Sequence, residues 1–124
     1  MKFKTITIKG HGRGKGLGFP TINMRIPSTL PLTLQQGVYA ARAIIGEEKY
    51  NGALYYGPAP VFQEKEAALE IYLFDTMGFF LDVNQEIEIE SVKFIRPVMS
   101  FGLPELLIEQ MERDVAQIRA VLKI

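Results

Sequence analysis

Apolar and polar residues alternate in short stretches along most of the chain, and only near the carboxyl end does the period lengthen. Lys4-Thr5-Ile6-Thr7-Ile8-Lys9 alternates residue by residue, the pattern of a half-buried strand. Gly37–Ile45 is rich in Val, Tyr, Ala and Ile, and Gly46-Glu47-Glu48 turns it into Lys49–Tyr56, which predicts a hairpin. Within Ala67–Phe74, Leu69, Ile71 and Leu73 alternate with Glu70, Tyr72 and Phe74. Gln85–Ile95 carries Ile87, Ile89 and Val92 in a further long strand. Short strands joined by turns, with no helices between them, predict a mainly β fold. The expected form is a closed, Greek-key-like antiparallel barrel of about six strands. After Pro97 the period changes. Leu107, Met111, Asp114/Val115, Ile118 and Leu122 recur at helical spacing, and Pro104 suits a first helical turn. One amphipathic α-helix over 104–122 is therefore expected, packed on a barrel formed by residues 1–97. Residues 24–36, with Pro27 and Pro31, have no clean period and read as a loop. It either folds over a ligand or is an ordinary crossover.

Composition narrows the class. A chain of 124 residues with 48% apolar content is expected to form one domain, 1–124, around a single core, and is not a disordered chain. Lys plus Arg and Asp plus Glu each total 14, so no net field draws the chain to nucleic acid, and no nucleic-acid partner is expected. A small barrel for single-stranded nucleic acid would call for a basic face interleaved with aromatics, whereas charge is balanced and Trp is absent. The absence of Cys excludes disulfides, thiolate metal sites and a Cys nucleophile, and favours a cytoplasmic location. No apolar run is long enough for a membrane helix and no apolar leader opens the chain, so no membrane partner is expected. A monomer is the expected state.

The densest chemical signal is Gly10-His11-Gly12-Arg13-Gly14-Lys15-Gly16-Leu17-Gly18-Phe19-Pro20-Thr21-Ile22-Asn23. Alternate glycines let backbone N–H groups converge on an anion, and Arg13 and Lys15 add positive charge, with Lys9 and Arg25 nearby. Thr21 and Asn23 then offer neutral oxygen ligands two residues apart, on one face of an extended segment. A phosphate cradle followed by hard oxygens suits a magnesium–nucleotide complex. The run is not a Walker A loop, because no Gly-Lys-Ser/Thr follows. Nor is it a dinucleotide fingerprint, because Pro20 stands where a helix would begin. His11, the one histidine, reads as an exposed turn residue.

Gly14-Lys15-Gly16-Leu17-Gly18-Phe19-Pro20-Thr21-Ile22-Asn23 resembles the signature of the riboflavin kinase (flavokinase) family. The resemblance continues in order through Gly37-Val38-Tyr39, Tyr50-Asn51-Gly52, Leu69-Glu70-Ile71-Tyr72, and Phe94-Ile95-Arg96-Pro97 followed by Phe101, Leu106 and Asp114. It implies transfer of the γ-phosphoryl of ATP to the ribityl 5′-hydroxyl of riboflavin, giving FMN and ADP. By resemblance, Thr21 and Asn23 bind the divalent cation, Mg²⁺ with Zn²⁺ or Mn²⁺ as alternatives, together with nucleotide phosphate. Gly14, Lys15, Gly16, Gly18 and Pro20 belong to the nucleotide-binding run, and Glu70 is the general base. Taken without the resemblance, Glu70 would read as a surface position on a strand. Phe94 and Phe101, with the first turns of the helix, are candidates for a flat flavin slot, although aromatics at such places are more often core packing and are not counted as site residues. Arg96 either meets the ligand or caps the barrel end.

The chain departs from the family where Asn-Ile-Gly-x-Arg-Pro-Thr-Phe is usual. Here Tyr55-Tyr56-Gly57-Pro58-Ala59-Pro60-Val61-Phe62 keeps Gly57, Pro60 and Phe62 but has none of the Asn, Arg and Thr. The connection after Asp75 lacks the family's Tyr-Gly pair. These departures touch flavin affinity and substrate choice, and they motivate the alternative of a catalytically decayed flavin- or nucleotide-binding module. In many bacteria an adenylyltransferase domain precedes this one. Because the signature lies so close to Met1, a stand-alone kinase or an excised domain is expected, without FAD synthesis.

Overall fold

Side chains of the strands alternate between a closed interior and an outer wall, and that alternation organises the molecule. A computed structural model describes residues 1–9, 19–31, 33–59, 64–76 and 81–124. Its strands are β1 (Lys2–Ile8), β2 (Ile22–Met24), β3 (Gly37–Ile45), β4 (Glu48–Ala59), β5 (Glu64–Leu73) and β6 (Glu86–Pro97), followed by the helix α1 (Pro104–Leu122). The strands close into an antiparallel barrel in the order β1-β2-β5-β4-β3-β6. Within that order, β6 lies beside the first strand of the consecutive set β3-β4-β5, the Greek-key arrangement. The expected barrel and helix are therefore both present.

The interior is filled by Met24, Leu54, Leu69, Ile71, Ile87 and Ile89, none more than 2% exposed. Residues 24–36 contribute to it. Successive turns close on Pro27 and Pro31 through N–H donors of Leu30 and Leu34, burying Leu30 in the core with Leu34 packed against it. Its described residues are thereby anchored to the barrel core through Leu30 and Leu34. On β1 the alternation runs opposite to simple hydrophobicity. Phe3, Thr5 and Thr7 face inward, while Ile8 is 42% exposed. The threonines are tolerated inside because each hydroxyl donates to a backbone carbonyl, Thr5 to Arg25 at 2.5 Å and Thr7 to Asp82 at 2.6 Å.

A second, smaller cluster forms outside the barrel, where Val38, Ala40 and Phe74 meet Ile118 and Leu122 of α1. The helix starts at Pro104 after an extended Leu103 and ends at Lys123 in the left-handed conformation. Its C-terminal half is packed on the barrel. Among the described residues no helix is long and apolar enough to cross a membrane.

Candidate functional site

Register brings a line of outward-facing residues together from five parts of the chain. Asn23 on β2 is opposite Glu70 on β5, and Glu70 is opposite Tyr55 on β4. Tyr55 is opposite Val38 on β3, and Val38 is opposite Arg96 on β6. Directly opposed residues share a face, with Cβ atoms about 4.5–5.5 Å apart. Neighbours of this rung, Met24, Leu69, Ile71 and Leu54, point into the core, which confirms that the rung itself lies on the outer wall.

β6 reaches that wall through a register shift. Tyr39 pairs with Phe94 but Val38 pairs with Arg96, so Ile95 is the extra residue of a bulge. Bulges re-aim side chains. Here Phe94 stays inside, edge-on to Tyr39 with ring centroids 5.2 Å apart, while Arg96 turns toward α1. Gly37 permits the close approach of β3 to this corner, since a Cβ there would lie 2.1 Å from the Arg96 carbonyl oxygen. Arg96 donates from Nε to both carboxylate oxygens of Asp114, at 2.9 and 3.0 Å, and its Nη2 lies 2.8 Å from Oδ2. Gln110 Nε2 donates to Asp114 Oδ1 at 2.9 Å. The two charged side chains are only 13% and 6% exposed, so the pair is a buried tie between helix and barrel.

A cleft of about 640 Å³ opens between the wall and the first turns of α1. Thr21, Tyr55, Glu70 and Tyr72 line it from the barrel, and Met99 and Phe101 from the connection to the helix. Leu107, Met111 and Val115 line it from α1, with Arg96 and Asp114 also at its surface. It is predominantly apolar, with Glu70, Thr21, Ser100 and the Arg96–Asp114 pair among its polar groups, the composition of a small-molecule site. Beside it runs an aromatic series. Phe19 meets Tyr72 edge-on at 5.4 Å and Tyr72 meets Phe74 at 5.6 Å. The Arg119 guanidinium lies 4.9 Å from the Phe74 ring centre and bonds both oxygens of Asp75 at 2.8 and 3.3 Å. Those hydrogen bonds hold the Asp75 carboxyl below its ordinary range and raise Arg119 above its own.

Of the residues singled out from sequence, Thr21, Asn23 and Glu70 are half-buried on the same side of the barrel, and Pro20 is exposed. Gly14, Lys15, Gly16 and Gly18 lie outside the described residues. Phe101 is at the cleft, whereas Phe94 belongs to the barrel interior and is removed as a flavin-slot candidate. Arg96 both faces the cleft and ties down the helix. Sequence reading did not single out Tyr55, Tyr72 or Met111 as cleft residues. Tyr72 and Tyr55 share the outward parity of Glu70, the one available signal. Among the described residues no three His, Cys, Asp or Glu side chains cluster as a metal site. The hydroxyl of Thr21 and the amide of Asn23 are hard oxygen donors, a set that fits a cation keeping most of its shell from water and phosphate, with the Glu70 carboxylate across the strand pair from Asn23.

A family model described as riboflavin kinase (Flavokinase) matches residues 1–122. The bifunctional riboflavin kinase/FMN adenylyltransferase of Bacillus subtilis is 37% identical over 119 residues, covering 90% of this chain and 35% of that protein. An RNA-binding riboflavin kinase of the same organism is 32% identical over 111 residues, covering 88% of this chain and 46% of that protein. The chain thus spans less than half the length of either relative. A crystal structure described as a macrolide-efflux protein from Streptococcus pneumoniae superposes with a TM-score of 0.76 at 26% identity, covering 95% of this chain and 38% of that one.

Proposed function

The chain belongs to the riboflavin kinase family, and from that premise we propose that it transfers the γ-phosphoryl of ATP to the ribityl 5′-hydroxyl of riboflavin. The observation that carries the reading is the pairing of Asn23 with Glu70, which together with Thr21 lines a mainly apolar cleft of about 640 Å³. The flavin ring occupies the cleft between the barrel wall and α1, and its ribityl chain runs toward Glu70. The hydroxyl oxygen bonds to the γ-phosphorus as the bond to the ADP oxygen breaks, and the Glu70 carboxylate takes the hydroxyl proton. Thr21 and Asn23 hold Mg²⁺, for which Zn²⁺ or Mn²⁺ are alternatives. The cation, when bound, neutralises charge on the phosphates. Because β2 and β5 are neighbours in a closed barrel, their hydrogen-bonded ladder fixes the spacing of Asn23 and Glu70, which supports positioning of the reacting groups.

Incubation with riboflavin, ATP and Mg²⁺, followed by chromatography, tests the reading through the appearance of FMN. Repeating it with CTP, Zn²⁺ or Mn²⁺ defines the nucleotide and cation. Riboflavin binding with no FMN formed under any of these conditions would replace the kinase by a flavin-binding module.

A further inference from the structure

Tyr55 stands where the family pattern has Asn, directly across the strand pair from Glu70. Its hydroxyl donates to the Pro58 carbonyl at 2.5 Å, three residues along the same strand. The phenol therefore lies along β4, over Gly57. A Cβ on residue 57 would come within 2.9 Å of the Tyr55 hydroxyl oxygen, 3.2 Å of Cζ and 2.9 Å of Val98 Cγ2. Gly57 is what leaves the ring room to lie down, and the ring lines the cleft beside Glu70. An Asn at this position would have neither the length to reach Pro58 nor a π-face.

We propose that Tyr55 is a specificity-determining residue of this chain: a fixed aromatic platform on which the planar ring of the substrate rests, so that the chain extending from that ring meets Glu70. The inference rests on the cleft being the riboflavin site. The hydroxyl tie removes the ring's rotational freedom before the ligand arrives, so little order is lost on binding. Offset stacking on a tyrosine adds to the affinity of a flat ligand beyond the area it buries. The platform supports ring binding and takes no part in proton transfer or nucleotide binding.

The test titrates riboflavin, without nucleotide, into the wild-type protein, Tyr55→Phe, Tyr55→Leu and Tyr55→Asn, and follows flavin fluorescence, which stacking on a phenol quenches. Steady-state kinetics of the same four proteins separate KM from kcat. For Tyr55→Leu and Tyr55→Asn the expected result is a roughly tenfold rise in riboflavin Kd and KM with loss of quenching, kcat and the KM for ATP staying within about twofold. Tyr55→Phe, which keeps the ring, should stay within about threefold of wild type. Tyr55→Asn carries the side chain common in the family and keeps the experiment decisive should Tyr55→Leu fold poorly. Equal affinity and quenching in the wild type and both ring-deleted variants would overturn the platform while leaving the kinase reading intact. A Tyr55→Phe variant as impaired as Tyr55→Leu would overturn it too, by assigning the effect to the hydroxyl. Wild-type protein that neither binds riboflavin nor forms FMN would overturn the functional reading itself.

Discussion

At the scale of single residues, two carboxylates on the cleft do different work. Glu70 lines the cleft with Thr21 and is paired across strands with Asn23, whereas Asp114 is consumed by Arg96 and Gln110. Glu70→Gln keeps shape and removes the proposed proton acceptor, so on that reading turnover should fall at least a hundredfold while the Kd for ATP·Mg²⁺ changes little. Stopped assays beside nucleotide titration check both, and wild-type turnover would dismiss Glu70 as base. Asp114→Ala leaves the Arg96 charge buried without its partner and should cost about 3 kcal/mol in denaturant unfolding. Asp114 was legible as one position of a helical stripe and as part of the family pattern after Arg96-Pro97, but their ion pair was not, because a bulge re-aims Arg96. Tyr55 was legible only as a mismatch. What makes it consequential, the cross-strand position opposite Glu70, belongs to the register.

Elements add information that single residues do not. The stripe Leu107, Met111, Val115, Ile118, Leu122 was correctly read as helical, with its first turns a candidate ligand wall and the whole an amphipathic face on the barrel, but the point of division was not legible. The structure splits it: Ile118 and Leu122 seal the outer cluster, while Leu107, Met111 and Val115 wall the cleft. Periodicity reports which residues share a face but not whether a neighbouring element or a ligand covers it. Ile118→Ala should therefore cost about 3 kcal/mol of stability, and Met111→Ala considerably less while weakening riboflavin binding; parallel melts and titrations distinguish them. The C-terminal turn is also clasped by Arg119 to Asp75. The folded-state pKa of Asp75 is depressed, chiefly by the Arg119 hydrogen bonds, so the clasp contributes fully above the unfolded value near 4 and is lost as pH falls through the lower folded value. Asp75→Asn should accordingly be slightly less stable than wild type at pH 7, with the difference closing as pH falls below about 4. A gap that stays constant down to the acid end would show that the clasp is silent.

For the whole molecule, the barrel class and the terminal helix were readable because alternation and period are local signals. The strand order was not, since β2 must reach β5 and β6 must return to β3 across long stretches of chain. Nor was the inward face of β1, where carbonyls of Arg25 and Asp82 accept the threonine hydroxyls. Closure depends on a few tight approaches. Gly37→Ala would drive a Cβ into the Arg96 carbonyl, and the expected outcome is loss of several kcal/mol or failure to fold, read from soluble yield and thermal melts.

Because the lumen and the cleft lie on opposite faces of the same strands, even and odd positions of β4 and β5 answer to separate demands. Redesign of residues packed inside and absent from the cleft lining, such as Leu69 and Ile71, offers a route to thermostable variants with the least disturbance of the site. Selection for a new ligand acts on the intervening positions, Ala53, Tyr55 and Tyr72, which also pack against the cluster under the helix, so each change there is felt by both ligand and fold.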